Sequence, residues 1–292
     1  MAAKDYPVDW QVATTDRMAQ DHPDLILHLG DYVYEGKPVT GRPRRHAGTR
    51  ECLSLADYRL RHAQYKSGAS IQLYRRVRWG RLATFHMLDT RQFRQDQPCG
   101  DGEWKVCAAA DAPGRTITGA AQESWLLNGL AQHYATWDVL AQQVFFARWF
   151  DRRGGACLDG WDGYRSARAR LQRGWRDRQV RNPVVLTGDV HRGFANDLKA
   201  DYAQPRSATV GTELVCTSIS SDGDGTAVEK PLYADVNPHL RYYSERRGYT
   251  LTTIGKDSMR VDFRTLSHVS RAGAPARTAR TVTLVNGVPG VH

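Results

Sequence analysis

The sequence predicts an α/β domain built in layers around a mixed sheet. Three observations carry this. Short apolar runs of strand length alternate with helical patterns early in the chain. Strand-like runs then crowd the C-terminal third. Two of the apolar runs end in the same Gly-Asp pair, and the carboxyl ends of strands are where α/β sheets bind ligands. With 292 residues, 41% hydrophobic and 10% aromatic, the chain can bury the core of one large domain or two small ones.

The elements follow in order. "DLILHLGD" (24–31) reads as a buried strand ending at Gly30. "GKPVTGRPRRHAGTR" is loop by its Gly, Pro and clustered Arg. "LADYRLRHAQY" (55–65) is a short helix candidate, and "GRLATFHMLDTR" is a strand running to Asp89. In "TGAAQESWLLNGLAQHY", Thr118 is placed to cap a helix that carries Ala121, Trp125, Leu126, Leu130 and Tyr134 at helical spacing. "TWDVLAQQVFFA" (136–147) reads as a second buried strand. "GYRSARARLQRGWRDRQV" sets Ala167, Leu171 and Trp175 every four residues, with Arg on the other faces, which makes an amphipathic helix. Pro183 opens the strand of "NPVVLTGDVH". "TELVCTSISS", "GYTLTTIG", "MRVDFRTL" and "RTVTLV" are the strands of the last third.

The net charge is +10, most of the positive charge being Arg. Such a surface suits anionic partners such as phosphate esters, nucleic acid or anionic lipid, or is simply a solvated face. No aromatic or groove-reading pattern accompanies the Arg-rich helix, so specific nucleic-acid binding is not expected. No stretch reaches the roughly 18 apolar residues of a membrane span. The start "MAAKDYPVDW" has no apolar core of a secretory leader, so none is expected. Of five cysteines, Cys99 and Cys107 bracket the Gly-containing loop "CGDGEWKVC", which a disulfide could close; that would suit an oxidising compartment. Cys52, Cys157 and Cys216 have no zinc-ligand spacing.

The chemistry gathers at "LILHLGDYVY" and "PVVLTGDVH". In each, Gly permits a sharp turn and sets Asp31 or Asp189 at the carboxyl end of a strand. Neighbouring strands lie about 5 Å apart, so the two carboxylates would repel unless a cation lay between them. His191, two residues past Asp189, adds a neutral nitrogen donor. Tyr34 adds a phenol which, ionised, is a hard oxygen ligand suited to ferric iron. The plainer alternative is that each Asp caps a turn or helix. His28 and His86 fall within strand patterns and read as core histidines. Arg91 and Arg94 in "DTRQFR" could hold a phosphate or could simply be exposed; Arg91 is the substrate-binding candidate. There is no G-x-S-x-G elbow, Walker loop or Rossmann glycine pattern.

At these residues the chain resembles the PhoD-like alkaline phosphatases, relatives of the purple acid phosphatases. "DLILHLGDYVYEG", "YRRVRWGRLATFHMLDTRQFRQDQPCGDG", "WDVLAQQVFFA", "WDGYRSARARL", "NPVVLTGDVHRGFANDLKAD", "GTELVCTSISSDGDG" and "RRGYTLTTI" all carry the likeness, which runs collinearly from about residue 12 to the end. It implies one metallophosphoesterase-like domain over 12–292: two mixed β-sheets flanked by helices. It implies hydrolysis of phosphate mono- or diesters, with phospholipase D-like cleavage as a variant, using ferric iron and calcium. Asp31 and Tyr34 match the family's bridging Asp and iron-bound Tyr, and Asp189 and His191 match its Gly-Asp-x-His ligands. No catalytic residue beyond these ligands is assigned. The resemblance also implies an extracellular or cell-envelope location, with a cytoplasmic one as the alternative.

The chain departs from the family pattern in two places. No Cys stands in "MAAKDYPVDWQ", where the family has an iron ligand. "HAQYKSGASIQLYRRVRWG" joins directly two pieces that the family separates by a Trp-Asp-Asp-His-Glu type segment. The usual N-terminal β-sandwich and twin-arginine signal are also missing from this sequence. Asp5, Asp9 and His86 are the side chains left to substitute for missing ligands. A remnant that binds phosphate or polyanions without turnover is therefore the alternative to an enzyme.

Overall fold

The computed structural model describes residues 12–30, 72–100, 102, 104–204, 206–219, 221, 223–271 and 273–292. Asp31, Tyr34, Cys52, Asp5, Asp9 and the helix candidate at 55–65 lie outside the described residues.

The main sheet has seven strands: β1 (Arg75–Trp79), β2 (Ala83–Met87), β3 (Trp137–Gln142), β4 (Pro183–Thr187), β5 (Gly193–Lys199), β6 (Thr209–Val215) and β7 (Leu240–Ser244). Their spatial order is β1-β2-β3-β4-β6-β5-β7. The four central strands β2, β3, β4 and β6 are parallel, and β1, β5 and β7 pair antiparallel with their neighbours. A smaller antiparallel sheet holds β8 (Gly248–Ile254), β9 (Ser258–Leu266) and β10 (Ala276–Val285), in the order β10-β9-β8. Three α-helices are described: α1 (Val12–Gln20), α2 (Gly119–Leu130) and α3 (Arg165–Asp177). This is the two-sheet α/β fold that the sequence predicts.

Side-chain alternation divides the interior into two cores. Leu140, Val185 and Phe194 face a layer containing Leu126, Leu130, Leu171 and Trp175 of α2 and α3. Val139, Val184, Ala195 and Leu214 face Val261, Phe263, Val282 and Leu284 of the smaller sheet. Strands buried on both faces read as continuous apolar runs, which is why β3 and β4 stand out in the sequence.

Local details differ from the expectations. Residues 24–30 form no strand, and Leu25 and Ile26 are 39% and 60% exposed. A strand needs a ladder partner, and none pairs with this segment among the described residues. The strand in "TWDVLAQQVFFA" stops at Gln142, after which the chain turns to bury Phe146. Thr118 stands at the N-cap of α2 but makes no capping bond; Thr116 Oγ1 accepts the Gly119 N–H at 2.9 Å instead. The buried stripe of α2 is Gln122, Leu126, Gly129 and Leu130, so Ala121 faces outward and Tyr134 lies beyond the helix. In α3, Ala167, Leu171 and Trp175 are buried as expected, but so is Arg168, paired at 2.8 Å with buried Asp162. Cys99 and Cys107 do form a disulfide, with their Cα atoms 6.1 Å apart.

Candidate functional site

The site is built at the carboxyl edge of β2, β3 and β4. β4 ends at Thr187, and Gly188-Asp189-Val190-His191 makes the turn into β5. The Val190 N–H closes onto the Gly188 carbonyl at 2.8 Å. Asp189 and His191 both hold left-handed backbone angles, with φ of 68° and 55°. Such angles in non-glycine residues store roughly 1–3 kcal/mol each and concentrate at functional sites. Leu29 and Gly30, just before Asp31, reach the same place. A Cβ on Gly188 would lie 3.2 Å from the Leu29 Cβ, and one on Gly30 would lie 3.7 Å from the Gln143 side chain. The glycines of the two motifs therefore meet around Gln143, as the strand-end argument requires, although residues 24–30 are not a strand.

Gln143 fastens the β2 edge to this turn. Its Oε1 accepts from the Thr90 N–H at 2.8 Å and the Thr90 hydroxyl at 2.7 Å, and its Nε2 donates to the Leu88 carbonyl at 2.9 Å. Its own carbonyl accepts from the Gly188 N–H at 3.2 Å. Buried Asp89 then shapes the next turn by accepting the N–H groups of Arg91 and Gln92 at 3.0 and 2.9 Å. Gln122 of α2 clamps Asp89 through both of its backbone groups. Arg91 is thus aimed at the turn after β4.

Its guanidinium lies between two carboxylates. Nη2 donates to Asp189 Oδ1 at 2.8 Å, and Nη1 donates to the two oxygens of Asp159 at 2.9 and 2.8 Å. Arg94 and Gln97 also donate to Asp159 Oδ1, at 2.7 and 2.9 Å. The Arg91 and Asp189 side chains are 41% and 32% exposed, so this pairing adds little to stability and much to orientation.

Beneath the turn lies a buried carboxylate. Glu213 of β6 accepts from the Thr187 hydroxyl at 2.6 Å, the Phe146 and Ala147 N–H groups at 2.8 and 2.9 Å, and the Asn196 amide at 2.9 Å. Burial pushes its carboxyl above the usual range, and these four donors oppose the shift. Gln142 donates to the same Thr187 hydroxyl at 2.7 Å and accepts from the Trp161 indole at 3.1 Å. The floor of the turn is a polar network in which every Glu213 and Gln142 bond is made, while the buried Asn196 Oδ1 has no partner.

Of the residues the sequence singles out, the structure unites Arg91, Asp189 and His191 at one edge, and the chain enters that edge at Gly30. His86 is excluded as a substitute ligand. It is fully buried, its Nδ1 accepts from Arg76 at 3.2 Å, and its Nε2–H donates to Asp138 at 2.9 Å. No group of three or more potential metal ligands converges among the described residues. Asp159, Gln97 and Gln143 were missed from sequence. Asp159 stands in "LDGWDG" and reads as a turn Asp; only the fold brings it to Arg91.

The comparisons agree with this geometry. The model of the PhoD-like phosphatase family matches residues 1–73 and 67–263. The two matches overlap at 67–73, where the short segment "SGASIQ" joins "HAQYK" to "LYRRVRWG". Alkaline phosphatase D of Bacillus subtilis (strain 168) is 32% identical over 335 aligned positions, covering 89% of this chain and 57% of the relative. That alignment is longer than the 292-residue chain, so parts of the relative have no counterpart here. The chain spans little more than half the length of that curated relative. A solved structure of PhoD superposes with a TM-score of 0.86 at 30% identity, covering 97% of this chain and 68% of that one. A family match across nearly the whole chain, a relative at 32% identity and a shared fold lead to one conclusion: the chain belongs to the PhoD-like phosphatase family.

Proposed function

We propose that this chain hydrolyses phosphate esters at the edge where the two Gly-Asp turns meet, with a metal ion as cofactor. The observation that carries this reading is Arg91, held by Asp159 and aimed at Asp189. A planar guanidinium is suited to two oxygens of a phosphoryl group, and here it lies beside the carboxylate of the Gly-Asp-x-His turn. The pairing with Arg91 shows that the partly exposed Asp189 carboxylate is open to a positively charged partner.

The donor chemistry fits a hard cation. The approach of Gly188 to Leu29 supports a shared edge for the two Gly-Asp motifs. Asp189 and His191 would hold the ion together with Asp31 and Tyr34, a set of carboxylates, phenolate and imidazole. Ferric iron and calcium are the ions the family likeness points to. A cation there would polarise the phosphoryl oxygens and acidify the attacking nucleophile. The chain's own residues do the rest. Arg91 binds and orients the ester, Asp159 fixes Arg91, and Gln143 with Thr187 keeps the two strand ends in register. Alkaline phosphatase D-type cleavage of mono- or diesters is the main reading, and phospholipase D-like cleavage is the variant. The disulfide supports an extracellular or cell-envelope setting.

A second reading, phosphate binding without turnover, is favoured by the small number of converging donors among the described residues. The test is hydrolysis of a chromogenic phosphate diester with iron and calcium supplied, beside Asp189→Asn and Asp31→Asn. Turnover lost in both variants supports the enzyme. Phosphate binding with no turnover above the variants establishes the second reading. Product analysis on a monoester, a diester and a phospholipid then separates the substrate classes.

A further inference from the structure

A second basic site lies away from the Gly-Asp turns. A cavity of about 380 Å³ opens where β7, an edge strand of the main sheet, faces β9 and β10. Arg241, Arg246, Arg277 and Arg280 line it, and Glu229 is the one acidic residue among its described lining. Arg246 donates to the Ser267 carbonyl at 2.9 Å, and Arg241 lies 3.7 Å from Asp197. Arg241, Arg277 and Arg280 are exposed, so their charges are solvated and together make the cavity mouth attractive to an anion.

The backbone of β10 is arranged to produce that concentration. Residues three apart on a regular strand point to opposite faces. Between Thr278 and Arg280 the register with β9 slips, leaving Ala279 as an extra residue. Arg277 stands opposite Thr265, and Arg280 opposite Phe263. Thr265 and Phe263 are two apart, so the bulge returns Arg280 to the face of Arg277. Both arginines thereby line the same cavity.

The rest of the wall is polar but closed. Thr265 is only 3% exposed, and the Tyr242 hydroxyl is buried beside Ser244. The groups offered to a ligand are therefore the four guanidiniums.

We infer that this cavity is a binding site for a small oligophosphate anion, separate from the Gly-Asp edge. The inference does not depend on the chain being a hydrolase. A volume near 380 Å³ lies at the small end of ligand sites, which suits two or three linked phosphates better than a polymer. The bulge sets the arginine spacing.

Titration calorimetry with tripolyphosphate on the full chain tests this, read across a salt series. Saturable binding is expected, weakening steeply as salt rises. Arg277→Gln with Arg280→Gln should weaken it at least tenfold and flatten the salt dependence. Asp189→Asn should leave binding at this cavity unchanged. Saturable binding that survives the double Arg variant in an Asp189→Asn background overturns the proposal, as does binding abolished by Asp189→Asn alone, which would place the anion at the other site. Absence of saturable binding at low salt also overturns it. A failure of ester hydrolysis touches none of these readouts.

Discussion

Glu213 shows how much of the site rests on one residue that touches no substrate. It is fully buried, and its two oxygens face four donors. Glu213→Gln would turn one acceptor into an amide that faces donors. The expected loss is about 2–4 kcal/mol of stability, since buried donors are left unsatisfied in a crowded network. Urea denaturation at neutral pH measures it, and a loss below about 0.5 kcal/mol would show that the network relaxes around the change. Thr187, which immediately precedes the Gly188 turn, loses its acceptor in the same variant, so phosphate affinity should fall with stability. None of this was legible in "TELV", where Glu213 reads as a strand residue with no evident task. Its role exists only once β3, β4, β5 and β6 are assembled around it. The turn that carries Asp189 and His191 was legible because its pattern is local: an apolar strand, then Gly, a carboxylate and an imidazole within four residues. Asp159 was not, because its partners lie more than sixty residues away in sequence.

At the scale of elements, legibility follows burial. β3, β4 and α3 bury nearly everything the pattern assigns inward, and they stand where the sequence puts them. Segment 24–30 has the same apolar signature but no ladder, because strand pairing depends on a neighbour that the pattern cannot supply. Arg168 breaks the amphipathic rule of α3 because Asp162 neutralises it within the interior. The disulfide loop was half legible, since spacing allowed it and only the fold shows its anchorage. Lys105 exchanges two backbone hydrogen bonds with Ala156, at 3.0 and 3.1 Å, and Cys107 is 3% exposed. Gln97, two residues before Cys99, reaches Asp159. Replacing both cysteines by Ala should remove about 2–3 kcal/mol by freeing a short loop in the unfolded chain. It should also weaken phosphate binding modestly through Gln97. Comparing urea midpoints with and without reductant checks the first effect. Equal midpoints would mean that the Lys105–Ala156 pairing holds the loop without the covalent bond.

At the scale of the whole molecule, stability is expected to depend on acid through a buried histidine at the β7 end of the main sheet. His239, just before β7, is 6% exposed. Its Nε2–H donates to the Arg148 carbonyl at 2.7 Å, its backbone carbonyl accepts from Asp197 of β5 at 2.9 Å, and the Tyr202 ring stands edge-on at 4.8 Å. Burial first, then the nearby positive charges of Arg148, Arg168 and Lys199, hold its pKa down at about 4, while the bond to the Arg148 carbonyl pulls the other way. The unfolded chain binds this proton near pH 6.5. Above that pH both states are neutral and the full stability is present. As pH falls from about 6.5 to about 4, the unfolded state alone gains the proton, and stability is lost. Over that window the loss is on the order of 3 kcal/mol. Glu213 and Asp162 act in the opposite sense. Burial raises both carboxyls, so the folded state takes their protons first and gains stability on acidification. The net slope of the wild-type protein therefore mixes both signs. His239→Gln isolates one, because the amide keeps a donor for the Arg148 carbonyl and does not titrate. Urea midpoints at pH 7 and pH 4.5 should fall less in His239→Gln than in the wild-type protein. Parallel losses in the two proteins would move the acid-sensitive group elsewhere and leave His239 as packing alone.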